Sequence, residues 1–500
     1  MQQPTDANDR ARAWLRRLPS PLALYALALG GILVGITVTK GVQDADYWWH
    51  LTAGQWIAEH GAVPNTDHFS FTWAGQPWTP HEWLSELVMY WLVNGFGRTA
   101  TTFLWGLFPA AIIAVHAAML SRMGVRVRAF ALPAVLIGLV ITPYVTVRPQ
   151  AVSWLFLSIL IWGLAELRPE HPRRALILIP FFVLWANLHG VYVIGLGAVA
   201  VYCIFTIAGR TPMSAAKGWM AAGALGAVAA SALTPAGPVG ILYPFRYVDA
   251  GDWGLASIQE WQSPDFHKAA HWAFLGLIVA VGLNKGRATP GWLITLSWIG
   301  IAMGLVALRN VPIAAVFCLP PLALGFQDRL LHRPQKTARP MAPSRALGRR
   351  LLEMGAAVVI VVGSLTVLVP PGIGEKVEEN IAERFPVAAV DALKQVDPDA
   401  HVLAEYGWGG YVIHELYPTG GRVFVDGRND MYDQQILEDY DAIKAADPDW
   451  QALADTYGVN AIILEPDATI TRGPALDAGW CEQYRDDTQI LLRRECSTSP

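Results

Sequence analysis

Two carboxylates one residue apart, Asp44 and Asp46 in QDADYWWHL, follow directly on an apolar run. A carboxylate at such a place can take a proton from an attacking hydroxyl, ligate a hard cation, or cap the helix that begins beside it. The stretch to residue 87 continues with His50, His81 and Glu82, interleaved with Trp48, Trp49, Trp78 and Trp83. Such histidines, with His189 of WANLHG, can hydrogen-bond a ligand's hydroxyl or phosphate, or serve as structural hydrogen-bonding groups. The tryptophans read first as headgroup anchors and second as stacking platforms for a ligand. Arg148 in TPYVTVRPQ and Arg309 in LRNVPIAA stand at the ends of other apolar runs, where a guanidinium either grips phosphate at two points or snorkels to the interface. Glu260 in SIQEW is a further loop acid, able to share a divalent ion with Asp44 or Asp46. No H-E-x-x-H spacing occurs, which argues against a zinc site of that kind, and no G-x-S-x-G marks a nucleophile.

The elements that must position these groups are apolar. Of 500 residues, 53% are hydrophobic and only 16% charged, with mean hydropathy +0.32, so the chain reads as a polytopic α-helical membrane protein in a lipid bilayer. Its net charge of -4 suggests no nucleic-acid partner. Apolar runs predict about eleven transmembrane helices. They fall near 22–40, 100–120, 129–146, 151–165, 174–188, 191–209, 218–234, 271–284, 291–308, 311–326 and 353–370. Alternate loops (SRMGVRVR, RPEHPRR, GRTPMSAAKG, NKGR and the long basic loop from Gln327) carry the lysines and arginines. That bias predicts a cytoplasmic N-terminus and places the first outer loop, 41–99, and the tail on the opposite side. YWWHLTAGQWIAEHG and HEWLSELVMYWLVNGFG are expected as two interfacial helices within that ordered loop.

Residues 1–370 thus form the membrane domain and 371–500 a soluble, extracytoplasmic α/β domain. In the latter, the strand-like HVLAE, RVFVDGR and NAIILEP alternate with helical patterns. Cys481 and Cys496 are disulfide candidates in an oxidising compartment, whereas Cys203 and Cys318 lie in apolar runs.

An acid at the membrane boundary, an amphipathic helix and a second interfacial helix together resemble the first outer loop of GT-C glycosyltransferases. SIQEW is similar to the S/T-[VI]-x-E element of oligosaccharyltransferase catalytic subunits, EYGWGGYVIHELYPTGGRVFVDGRND to their W-W-D-Y-G region and the strand after it, and LRNVPIAA to their lipid-phosphate loop. The resemblance implies a GT-C-like enzyme of a bacterial inner membrane. Such an enzyme transfers a sugar from a polyprenyl-phosphate (or diphosphate) carrier to a glycan, lipid or protein acceptor. Asp46 or Asp44 would be its general base, and Arg309 and Arg148 its phosphate ligands. His50, His81, Glu82 and His189 would contact substrate, and Tyr406, Trp408, Asp426 and Arg428 the acceptor. Asp44, Asp46 and Glu260 would hold Mg2+ or Mn2+. Two departures stand out: TPYVTVRPQ has no carboxylate where oligosaccharyltransferases carry a second acidic motif, and EYGWGG lacks their double tryptophan and central aspartate. Two further function classes remain: a transporter or flippase of lipid-linked sugars, with ionisable groups at mid-membrane, and a non-catalytic envelope-assembly protein on the same scaffold.

Overall fold

The computed structural model describes residues 4–241, 258–284, 286, 289–331, 341–369 and 371–494. After the polar α1 (Pro4–Arg17) come α2 (Pro21–Lys40), α3 (Asp46–His60), α4 (Trp83–Arg122), α5 (Val127–Ile141), α6 (Gln150–Glu166), α7 (Leu178–Leu188), α8 (Tyr192–Ile207) and α9 (Lys217–Ala230). Further apolar helices cover Trp272–Gly282, Gly291–Val306, Val311–Leu331 and Pro343–Leu368. Each apolar run is therefore helical, but the count of full spans is lower than expected. Among the described residues five helices are long and apolar enough to cross a membrane, and a sixth span results if Tyr192–Ile207 and Pro212–Ala230, bent by 79°, count as one. The others fall short because a helix rises only about 1.5 Å per residue against a hydrocarbon core of about 30 Å.

Local chemistry sets the ends of these elements. The Ser20 hydroxyl accepts from the Ala23 amide at 3.1 Å and Pro21 takes the first helical position of α2, which stops at Gly41, φ 63°. The helix of YWWHLTAGQWIAEHG forms as expected, but it is enclosed rather than interfacial: Tyr47 through Gly54 are all buried. It lies between α4 and the helix Gly409–Leu416. The contact with α4 is so close that a Cβ on Gly54 would stand 2.1 Å from the Glu86 carbonyl oxygen, so only glycine fits there. The second expected outer helix and the 100–120 span prove to be two halves of α4, broken at Gly97, whose φ of 82° and ψ of 167° leave the helical region.

In the C-terminal part, β1 (His401–Ala404), β2 (Arg422–Val423), β3 (Ala461–Leu464), β4 (Cys481–Arg485) and β5 (Ile490–Arg493) form one sheet in the order β2-β1-β3-β5-β4. The first three are mutually parallel; β5 and β4 continue the sheet antiparallel. The first outer loop adds to its β2 edge: Phe71 donates its amide to the Val423 carbonyl at 3.0 Å, and Val423 donates to Phe69 at 3.3 Å. An otherwise bare strand edge is thereby covered. Cys481 is disulfide-bonded, and Cys496 lies outside the described residues.

Candidate active site

Four chain segments enter one end of the helix bundle and leave it again: α2 to α3, α5 to α6, α7 to α8, and Gly291–Val306 to Val311–Leu331. Their connections carry Asp44, Arg148, His189 and Arg309 in turn, and Asp46 opens α3 beside Asp44. The carboxyl ends of β1 and β2 face the same place, which is where open α/β sheets present ligand-binding loops. Together these ends border a cavity of about 520 Å3. Asp44, Asp46, His81, Glu82, Arg148, His189, Glu260, Arg309, Tyr406 and Arg428 all line it.

Arg148 is the centre of the charged part. Its Nη2 lies 2.7 Å from Asp46 Oδ2, and its Nη1 lies 3.2 Å from Glu260 Oε2 and 3.6 Å from Asp44 Oδ2. The backbone holds it there: Trp105 Nε1 donates to the Arg148 carbonyl at 2.9 Å. Thr146 donates to Asp44 Oδ2 at 2.8 Å, and the Asp46 amide donates to Asp44 Oδ1 at 3.1 Å. Glu260 Oε1 reaches on to Arg309 Nη1 at 3.8 Å, and the Arg309 guanidinium lies 4.4 Å over the Trp261 ring. The three acids expected to share Mg2+ or Mn2+ thus converge on the Arg148 guanidinium. Burial lifts Asp46 to about 7 despite the pull of Arg148. Burial would raise Glu260 too, but Arg148 and Arg309 together bring it below the usual glutamate range.

Beneath this lies a second cluster built on Glu82. Its Oε1 is 3.0 Å from His189 Nε2 and 3.6 Å from His81 Nε2, and its Oε2 is 3.4 Å from His50 Nε2. The other nitrogen of His50, Nδ1, lies 3.3 Å from Glu86 Oε1. His50 is buried below the cavity wall and faces two carboxylates rather than open space. Burial drives Glu82 up to about 8 and His81 down to about 4. Among the described residues, His50, Glu82 and Glu86 are the group with the spacing of metal ligands.

A third cluster locks the outer loop to the sheet. Arg428 Nη1 donates to Asp67 Oδ1 at 2.6 Å, its Nη2 to Asp426 Oδ2 at 2.6 Å and its Nε to Asp426 Oδ1 at 2.8 Å, while Tyr432 donates to Asp426 Oδ2 at 2.6 Å. Asp67, Asp426 and Arg428 are at most 1% exposed. Asp426 and Arg428, read from sequence as acceptor contacts, spend their polar groups on this tie. Trp408 also turns elsewhere, donating Nε1 to the Arg384 carbonyl at 2.9 Å. The membrane-anchor reading of the tryptophans fails for Trp48, Trp49 and Trp78, which are buried in the shared core of loop and sheet; Trp83 donates to Asn187 Oδ1 at 2.8 Å.

No protein-family model and no curated protein sequence matches the chain. Solved structures do. One is the archaeal oligosaccharyltransferase AglB from Archaeoglobus fulgidus, in complex with an inhibitory peptide and a dolichol-phosphate. It superposes with TM-score 0.56 at 10% identity over 88% of this chain and 69% of that one. Another is ArnT from Cupriavidus metallidurans bound to undecaprenyl phosphate, with TM-score 0.50 at 14% identity over 95% of this chain and 98% of that one. The chain has the GT-C fold.

Within this GT-C fold several cavity residues went unread in the sequence. Asp430, pushed up by burial to about 7, and Asn429 follow β2 in the same loop as Gly427; the polar run GRND after a strand was the available signal. Glu86 stands one helical turn beyond Glu82 on the same face of α4, a spacing visible in HEWLSE. Gly427 is demanded by close approach, since a Cβ there would lie 1.9 Å from Asp46 Oδ1. Nothing local announces that contact.

Proposed function

We propose that the chain is a membrane glycosyltransferase that moves a sugar from a polyprenyl-phosphate or diphosphate carrier to a hydroxyl of a glycan, lipid or protein acceptor, with Asp46 as general base. The observation that carries this reading is the sharing of one cavity by Asp46, Arg148 and Arg309, with Glu260 joined to both arginines. The acceptor oxygen attacks the anomeric carbon from the face opposite the phosphate. As that bond forms, the bond from the anomeric carbon to the phosphate oxygen breaks, inverting the centre. Asp46 takes the acceptor proton, and the departing lipid phosphate keeps the electron pair and is met by Arg309 and Arg148.

A base whose proton affinity sits near neutrality is efficient at physiological pH, and burial brings Asp46 there. Arg148 supplies the positive charge that a divalent ion would otherwise bring, and holds the carboxylate in place. An apolar groove of about 340 Å3, lined by Leu92, Leu104, Trp105, Phe108 and Leu155, opens between α4 and α6 and suits an isoprenoid chain. Its Trp105 is the residue bonded to the Arg148 carbonyl, so groove and charged centre adjoin. The loop bias in lysine and arginine supports an outward-facing cavity with the sheet outside the cytoplasm of a bacterial cell.

Sugar transfer from a defined lipid-phosphate donor by the purified full chain tests the proposal. The wild type should transfer and Asp46→Asn should not. Movement of the intact donor between leaflets without transfer would replace the reading by a flippase.

A further inference from the structure

The geometry points to a zinc-class divalent ion bound by His50, Glu82 and Glu86, a structural staple between α3 and α4 behind Asp46. It is independent of the reaction proposed above. The ligand atoms of these three side chains lie within 4.8 Å of one another, and all three residues are buried. The donor set, one imidazole nitrogen and two carboxylates, is of the kind that zinc takes with a fourth position left open. Glu82 and Glu86 also line the cavity, so that fourth position faces it.

Hydrogen bonding alone leaves this group incomplete. His50 has a carboxylate oxygen on each side, at 3.3 Å from Nδ1 and 3.4 Å from Nε2. A neutral imidazole has one N–H, so one of its nitrogens meets a carboxylate with a lone pair, and both contacts are long for a hydrogen bond. Glu86 Oε2 is buried with no hydrogen-bond partner. Histidines stand within salt-bridge reach of Glu82 and Glu86, and the charges of Arg148 and Arg309 on Glu82 and of Arg428 on Glu86 do not overcome the burial that disfavours both carboxylates. A divalent cation accounts for each of these facts: it meets the lone pair, takes up the idle oxygen and neutralises the two acids.

The surroundings of Glu82 fit the same role. His189 Nδ1 accepts from the Val191 amide at 3.2 Å, which leaves the proton on Nε2, and that N–H donates to Glu82 Oε1 at 3.0 Å. Ser153 Oγ lies 2.9 Å from the same Nδ1 and itself accepts from Trp185 Nε1 at 2.8 Å. A buried relay from Trp185 through Ser153 and His189 therefore fixes the Glu82 carboxylate from behind, as outer-shell partners do for metal-ligating acids. The ligands come from α3 and from the start of α4, which is why no H-E-x-x-H spacing is needed. His50 lies one turn beyond Asp46 on α3, so an ion held here sets the position of the proposed base without touching it.

Metal content of the full chain, purified in detergent without chelator, tests the inference apart from any transfer assay. Zinc at about one ion per chain, surviving dialysis against magnesium, is expected. His50→Gln and Glu86→Gln should each bring it below about a tenth of that, whereas His81→Gln should keep it. Because such variants can lose their fold, the wild type is also stripped and reloaded with cobalt; visible d–d absorption of a nitrogen- and oxygen-ligated ion, displaced by zinc, is the supporting result. A wild type that retains no zinc and gives no cobalt spectrum overturns the inference. So does full zinc content in the folded Glu86→Gln variant.

Discussion

Arg148 holds Asp46 by a 2.7 Å contact between Nη2 and Oδ2, across a gap of 102 positions in the chain. The same guanidinium faces Asp44 and Glu260. One residue on the α5–α6 connection thus orients the first residue of α3 and a loop acid far downstream.

Removing the carboxylate while keeping its shape is the most direct check on Asp46. Asp46→Asn should lower sugar transfer by about 10²–10⁴-fold, the range of a lost general base. Donor binding, read by tryptophan fluorescence with polyprenyl phosphate, should stay within a few-fold because Arg309 is untouched.

A pH profile follows from burial of the same group. Its pKa lies near 7 rather than in the usual aspartate range, and a base works only when deprotonated. Transfer, measured as kcat/KM, should therefore climb with pH up to about 7 with unit slope and then level off. A profile flat between pH 5 and 8 would exclude Asp46 as the group that takes the proton.

If Arg148 stands in for a cation, deleting it creates a need for one. Arg148→Ala leaves three neighbouring carboxylates without their shared partner and should cost about 3–5 kcal/mol where they stay buried. Millimolar magnesium or manganese should restore part of the thermal midpoint of the variant while leaving the wild type unmoved. Equal responses in the two proteins would contradict the cation role.

Gly427→Ala probes the fit between sheet and base. The added carbon would meet Asp46 Oδ1 at 1.9 Å and Trp49 Nε1 at 3.2 Å, so the carboxylate must leave its place. Transfer should fall about 10²-fold, the usual result of a displacement of about 1 Å in a reacting group. Far-ultraviolet circular dichroism should be unchanged.

The tie between loop and sheet can be cut at Asp67. Asp67→Asn leaves Arg428 buried against one carboxylate instead of two, and a loss of about 3–5 kcal/mol is expected for breaking such a pair. Limited proteolysis should then open the loop between Thr66 and Pro77 before the helices are attacked.

Much of this arrangement was legible before any coordinates. The apolar runs and the α/β pattern of the tail are local signals: the runs became helices, fewer of them full spans than expected, and the tail became a five-stranded sheet with helices. What stayed hidden depends on contacts across hundreds of positions. HEWLSE and GRND contain Glu86 and Asp430, yet only packing of α3 on α4, and of β2 beside the outer loop, makes them neighbours of Asp46 and His50. The tryptophans misled for a related reason. Their type suits a headgroup belt, but α3 is covered on both sides, so Trp48 joins a core made jointly by loop and sheet. Nor does the spacing of the acid trio reveal that the Arg148 guanidinium stands among its three carboxylates.

Phe69 to Phe71 complete the sheet as an added strand beside Val423, and 352 positions separate Thr72 from the Phe424 carbonyl it bonds. On the ribosome the early half of that pairing must therefore wait until more than 350 further residues have been made. A nascent chain accordingly carries Asp46 through that interval without Gly427, the backbone that later closes against its carboxylate.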